Sequence, residues 1–415
     1  MEDRSLILTR EEEAMLLGEE GEAVKLAMEI LVMEGDKFGA KRLVPVTSAH
    51  IVLAMYKSIF EAGVEVCEKF AAMGAKFRVP TTLDPSGMDT ENWRAFKTPD
   101  EYAEKQLRIQ AAYEKMGAIM SWTCLPHFMG SMPRFGEHVG WTESSAVAFI
   151  NSVLGARSNR ETAVIDICIG LTGRTPEYGL HLTESRYGQV AVVMDIGDRE
   201  LKSWEYPVLG YFLGKELGSL IGVVDGLTGS PKMDELKSMM AAAAASGPLA
   251  LVHLVGITPE ARVRQDAFGP NKPIRVITVT EETLKKTRAE MCTVKGGRID
   301  LVAVGCPHYS IAEIQNLNRL VAGRKVAANT EFWVYTTKQV RDLAERMGYY
   351  RALAEVGVKI ATETCMLISP IETWGFKTLM TDSGKCAYYA PMQCGTDVIF
   401  GSTEECVEAA ISGRV

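Results

Sequence analysis

The 415-residue chain has nine cysteines but no Cys-x-x-Cys pair. A zinc ribbon and a ferredoxin-type run of cluster ligands are therefore excluded. The nine are an odd number and lie scattered, which argues against a disulfide scaffold. No stretch of about 20 uncharged apolar residues occurs, so no membrane-spanning helix is expected. The opening Met1-Glu2-Asp3-Arg4 is charged and runs into an acidic segment. It does not read as an export leader, and a cytoplasmic location with reduced thiols is the expectation. Positive charge is in deficit, with 45 Lys and Arg against 53 Asp and Glu and a formal net charge of −8. That excludes a general nucleic-acid or anionic-membrane binder, but is compatible with a locally basic substrate pocket. Internal repeats and low-complexity segments are absent. Ser383-Gly384-Lys385 lacks the earlier glycine of a phosphate loop, so nucleotide binding is not expected.

What is present is an ordinary globular balance, with 47% hydrophobic and 24% charged residues. Thr9-Arg10-Glu11-Glu12 forms a capping box that predicts a helix to about residue 34. Strands are predicted over 42–47, 76–80, 189–196, 249–257, 275–279, 326–336 and 376–381. Between them lie helical stretches, among them 99–116 and the alanine-rich 232–246. This alternation predicts an α/β chain with mainly parallel sheets. Loop density suggests subdomains 1–165, 166–290 and 291–415.

Three apolar runs end at a cysteine: 118–124 at Cys124, 299–306 at Cys306 and 358–365 at Cys365. Each reads as a buried strand entered through a glycine. Ligands of open parallel sheets sit beyond the carboxyl ends of strands, so three such ends can share one cleft. Three thiolates leaving one open coordination position suit a substrate-binding iron–sulfur cluster. Cys168 ends a further apolar run, but that run continues past it. Cys67 and Cys292 have helical surroundings and read as structural. Cys386, Cys394 and Cys406 stay open as alternative ligands.

Other stretches carry polar chemistry. Two strand exits, Thr47-Ser48-Ala49-His50 and Thr81-Thr82-Leu83-Asp84, offer hydroxyls suited to binding a carboxylate or phosphate at a helix start. A long loop over 125–140 holds His127, Arg134, Glu137 and His138. Glu143-Ser144-Ser145 reads either as a substrate or proton-handling element, or as part of a helix start capped by Thr142 or Ser144. Arg157 and Arg160 offer guanidiniums for a carboxylate, or solvated surface charge.

Taken together, Thr123-Cys124-Leu125-Pro126-His127, Phe135-Gly136-Glu137-His138-Val139-Gly140-Trp141-Thr142-Glu143-Ser144-Ser145, the segment 151–161, Gly305-Cys306-Pro307-His308 and Thr364-Cys365 resemble the aconitase X family over essentially the whole chain. The resemblance implies a large subunit of three α/β/α domains around a central cleft, carrying an iron–sulfur cluster of the 4Fe–4S or 2Fe–2S type. It implies a hydro-lyase that dehydrates a small hydroxy acid. Family cluster ligands fall on Cys124, Cys306 and Cys365. A swivelling domain, absent from this chain, is expected as a small subunit that supplies the catalytic base, so no catalytic residue is assigned here. Substrate contacts are expected from Ser48, Ala49, His50, Thr82, Asp84, Glu143, Ser144 and Ser145. Family members act on phosphomevalonate or cis-3-hydroxy-L-proline. Here Ala49-His50-Ile51 is followed by Val52-Leu53-Ala54-Met55, where the phosphomevalonate type carries Gly-Val-Ser, and Asp84 stands where that type tends to have Asn. A carboxylate repels a phosphate and suits an amine, so hydroxyproline is the expected substrate and phosphomevalonate the alternative. A cluster-free, non-catalytic scaffold is the remaining reading.

Overall fold

A computed structural model describes residues 6–415; the opening Met1–Arg4 lies outside them. Three parallel sheets organise the chain. The first is small, with Ala49–Ile51 between Thr81–Leu83 and Gly140–Trp141. The second has four strands in the order Val252–Leu254, Gly222–Asp225, Val190–Asp195, Arg275–Thr280. The third has five, in the order Val358–Thr362, Glu331–Thr336, Leu301–Tyr309, Thr378–Thr381, Asp397–Phe400. Parallel neighbours need helical crossovers that cover both faces, and the strands of the third sheet are accordingly almost wholly buried. An antiparallel pair, Leu43–Pro45 with Arg174–Pro176, stands apart. Among the described residues no helix is long and apolar enough to cross a membrane.

Local chemistry explains where the elements differ from expectation. The Thr9–Glu12 capping box is present, but its helix ends at Leu17. Gly18 and Gly21 are left-handed, and a second helix begins at Glu22. The segment 165–172, rich in β-branched residues, folds as the helix Ile165–Thr172. Ala49–Ile51 is a strand rather than a loop before a helix; the next helix starts at Tyr56. Ser383-Gly384-Lys385 opens the helix Gly384–Gln393 rather than a loop.

The alanine run lies in the helix Met233–Ser246, where Met239 to Ala245 are all buried. It packs against Glu205–Leu217, Ser144–Phe149 and Gly384–Gln393. Gly210 and Gly214 face it so closely that an added Cβ would fall 2.0 Å from the Met239 carbonyl oxygen and 2.2 Å from that of Ala243. Small residues on both surfaces let these helices pack with their backbones in close contact.

Candidate active site

The three cysteine segments leave their sheets by similar backbone devices. Cys306 lies inside the strand Leu301–Tyr309, not at its end. Register with Glu331–Thr336 breaks between Val304 and Tyr309, so residues 305–308 bulge out of the sheet. Gly305 (φ 95°) makes this turn, and a Cβ there would sit 2.1 Å from the Tyr335 carbonyl oxygen. Cys365 follows the strand Val358–Thr362 after Glu363, which is left-handed at φ 66°. The 118–124 segment is not a regular strand. It runs beside Thr81–Leu83 through Ile119 N–H to Thr81 (2.8 Å) and Thr123 N–H to Leu83 (3.0 Å), then turns at Trp122 (φ 40°). Trp122 and Glu363, non-glycine residues held left-handed two positions from Cys124 and Cys365, store local strain, a habit of functional sites, whereas Gly305 takes the same region beside Cys306 without it.

Lys385 is the group these segments surround, and the sequence reading missed it. It is largely but not fully buried in the first turn of its helix, where Nζ donates to Glu143 Oε1 (2.5 Å) and Ser145 Oγ (2.9 Å). Burial opposes its charge, but Glu143 and the thiols of Cys306 and Cys124 hold it protonated. The same ammonium acts on Cys365. Glu143 caps the helix Ser144–Phe149 by accepting from Ala146 N–H at 2.6 Å; Thr142 and Ser144 do not. Ser144 and Ser145 hydroxyls donate to its Oε1 at 3.4 and 3.2 Å. Despite full burial, Lys385 and these donors keep the Glu143 carboxyl at about 2.

The cysteines share this environment. Cys306 and Cys365 thiols interact directly, which raises the first and lowers the second. Burial pushes the Cys124 thiol up, and Glu143, Lys385 and Asp84 all act on it. All three are free thiols. Cys386 and Cys406 lie buried in helices, and Cys394 donates to the Met366 carbonyl oxygen. Among the described residues no three His, Cys, Asp or Glu side chains form a single-ion site. In a polynuclear cluster each thiolate takes its own iron, so the sulfurs need not meet at one point. A thiol set gathered about one ammonium is compatible with such an anionic group.

Beside the thiols stands an acid–base pair. His50 and Thr82 come from neighbouring strands, with Nδ1 and Oγ1 2.9 Å apart. The Thr82 hydroxyl donates to the Ala49 carbonyl oxygen (3.3 Å), so Nδ1 carries the hydrogen between them. His50 Nε2 then faces Asp84 Oδ1 at 3.6 Å, and neither has a hydrogen-bond partner among the described residues. Burial raises the Asp84 carboxyl to about 6, against the favourable contact with His50. A carboxyl raised in this way is poised to hold a proton just below neutral pH. Ser48 accepts from the Trp141 indole at 3.1 Å, and Ala49 takes part through its backbone. His127, a member of the long loop, is buried with both ring nitrogens unpartnered, stacked on Phe149 at 4.4 Å and near Trp141 at 6.1 Å. Neither expected arginine reaches the pair. Arg157 binds the His181 carbonyl oxygen and Thr183, and Arg160 reaches the Ala244 and Gly247 carbonyl oxygens.

A raised Asp84 means that ionisation there costs folding energy. The stability it contributes is present below its ordinary 3.8 and is lost as pH rises through about 6. Asp84→Asn is therefore expected to stabilise the isolated chain by up to about 3 kcal/mol at pH 7, and by little at pH 4. Urea midpoints at the two pH values measure this. An unchanged midpoint at pH 7 would remove the argument for a buried, uncompensated charge.

Three family models cover nearly the whole chain: aconitase X first domain over residues 5–184, second domain over 188–289 and third domain over 299–412. The chain belongs to the aconitase X family. It is 40% identical to the phosphomevalonate dehydratase large subunit of Methanocaldococcus jannaschii, over 96% of this chain and 99% of that one. It is 39% identical to the cis-3-hydroxy-L-proline dehydratase of Pseudomonas aeruginosa, over 97% of this chain and 70% of the relative. The crystal structure of Thermococcus kodakaraensis aconitase X in its holo form superposes with a TM-score of 0.88 at 37% identity, covering 97% of this chain and all of that one. The α/β architecture is thus that of aconitase X.

Proposed function

We propose that this aconitase X chain is the catalytic large subunit of a hydro-lyase that dehydrates a small hydroxylated amino or imino acid, with cis-3-hydroxy-L-proline as the substrate. The observation that carries the substrate class is Asp84, the single charged residue lining a cavity of about 460 Å³; Cys306 lines a different cavity, of about 530 Å³. The other walls of the Asp84 cavity include Val52, Leu53, Ile59 and Val164. An apolar ring bearing a protonated nitrogen suits such walls and such a carboxylate; a phosphate does not.

Cys124, Cys306 and Cys365 are the residues that would hold an iron–sulfur cluster. When bound, a cluster with an open iron supplies Lewis-acid polarisation of the substrate hydroxyl and carboxylate. The protein's own side chains do the rest. Lys385 balances the negative charge of thiolates and of Glu143. The Asp84–His50 pair would hold a proton near the thiols, and His127 keeps two unpartnered ring nitrogens stacked between Phe149 and Trp141. Trp141 and Phe149 are buried walls that keep water out. The base that removes the carbon-bound proton is expected from a small subunit, because relatives of matching length are named large subunits.

A second reading is the phosphomevalonate dehydratase large subunit. It is favoured by the nearly complete coverage of that relative, against 70% of the hydroxyproline enzyme. Anaerobic reconstitution with the small subunit, then incubation with both substrates, separates the two. Loss of cis-3-hydroxy-L-proline with phosphomevalonate untouched is expected; the reverse overturns the substrate assignment. A colourless, iron-free and inactive complex would mean a non-catalytic scaffold.

A further inference from the structure

The residue that fastens the three thiol-bearing segments together is itself a histidine. We infer that His308 is a positioning residue that clamps the Cys124 and Cys365 loops onto the bulge carrying Cys306. The inference rests on reading these cysteines as cluster ligands. His308 is buried two residues after Cys306. Its Nε2 lies 2.8 Å from the Thr364 carbonyl oxygen, which can only accept, so Nε2 carries the hydrogen. Nδ1, 3.1 Å from Thr123 Oγ1, is then the acceptor of the threonine hydroxyl. That hydroxyl in turn accepts from the Leu125 N–H at 3.1 Å. Thr123 immediately precedes Cys124, and Thr364 immediately precedes Cys365. The two bonds therefore act one residue from each of the other two thiols.

The backbone of His308 completes the clamp. Its carbonyl oxygen accepts from the buried Lys237 ammonium at 3.2 Å, and Lys237 is fixed by Asp234 (3.0 Å) and Glu313. One side chain and its own peptide units thus connect segments 56 and 185 residues distant in sequence. A buried imidazole serving only as core filler would not need both ring nitrogens aimed at the neighbours of the other two cysteines. The arrangement is that of an outer group that orients metal ligands without touching the metal.

The test measures cluster retention in the large subunit, not turnover. Wild type, His308→Leu, His308→Gln and a Cys124/Cys306/Cys365 triple serine variant are reconstituted anaerobically with iron and sulfide. Iron per chain, the visible and electron-paramagnetic spectra, and iron loss to a chelator are then read. His308→Leu is expected to hold iron about 10–100-fold more weakly, with an altered spectrum. His308→Gln keeps a donor for Thr364 and is expected to recover part of the retention; a mere packing role predicts that Leu serves at least as well. His308→Leu with wild-type retention and spectrum overturns the inference while leaving the ligand assignment standing. Wild type that takes up no more iron than the triple variant overturns the ligand assignment itself. If circular dichroism shows that His308→Leu does not fold, Thr123→Val, which removes the donor to Nδ1 at nearly constant volume, is expected to weaken retention in the same direction, and wild-type retention in it overturns the clamp.

Discussion

Serine at Cys124, Cys306 or Cys365 is expected to abolish dehydration by the reconstituted two-subunit enzyme, lowering turnover at least about 10³-fold, or about 4 kcal/mol in the barrier. Hydroxide is a poor leaving group, and a hydroxyl ligand in place of a thiolate would not hold a soft iron site. Anaerobic steady-state assays and iron analysis on the same samples check this. Cys67→Ser and Cys168→Ser are the contrast. Cys67 sits against the Leu53 carbonyl oxygen and the Tyr113 hydroxyl, and Cys168 is buried in a helix away from Lys385. Both should keep turnover within a few fold of wild type after correction for stability. A Cys306→Ser enzyme with full iron and more than a tenth of wild-type turnover would sink the assignment, and would point to Cys386 or Cys394.

Lys385→Met should do comparable damage by a different route. It leaves the Glu143 carboxylate buried beside two serine hydroxyls with no counter-charge. Removing one member of a buried pair typically costs about 3–5 kcal/mol. The interval between the ordinary 4.5 of Glu143 and its about 2 here corresponds to about 3 kcal/mol. Because that carboxyl is depressed on folding, its stabilisation is present above pH 4.5 and fades as pH falls toward 2. Lys385→Met should erase this acid dependence. The double variant Lys385→Met/Glu143→Gln should regain much of the lost stability, because no buried charge is then left alone. Urea unfolding of the four species of this cycle at pH 7 and pH 3 decides it; additive effects would mean that the two residues do not act as a pair.

The candidate site was legible in part because its thiols fall in or just after apolar runs that lie in or beside sheets, although Cys306 sits in a bulge inside its strand rather than at the end. His50, Thr82 and Asp84 stood out as polar residues at expected strand exits, but His50 and Thr82 lie within the strands Ala49–Ile51 and Thr81–Leu83, and only Asp84 follows one. Lys385 was not. Its partner Glu143 is 242 residues away, and its own stretch looked like a loop because Ser383 and Gly384 are turn formers as readily as helix caps. Ser383 is in fact the cap, accepting from Cys386 N–H at 3.0 Å. Arg157 and Arg160 looked available for a carboxylate because nothing local showed the backbone carbonyls that bind them. The 118–124 segment has a strand's composition but lies at a sheet edge and turns at Trp122, a conformation that composition does not encode.

The alanine-rich helix has one more consequence. Glu143 caps one helix resting on it, and Lys385 opens another, whose Gly384 would bring an added Cβ within 2.7 Å of Ala242 Cβ. The methyl groups of that run therefore act as a gauge block: the width of a row of alanines sets how far apart the Glu143 carboxylate and the Lys385 ammonium are held. A longer side chain at Ala242 would wedge the two helix starts apart and detune the charge pair without replacing either member.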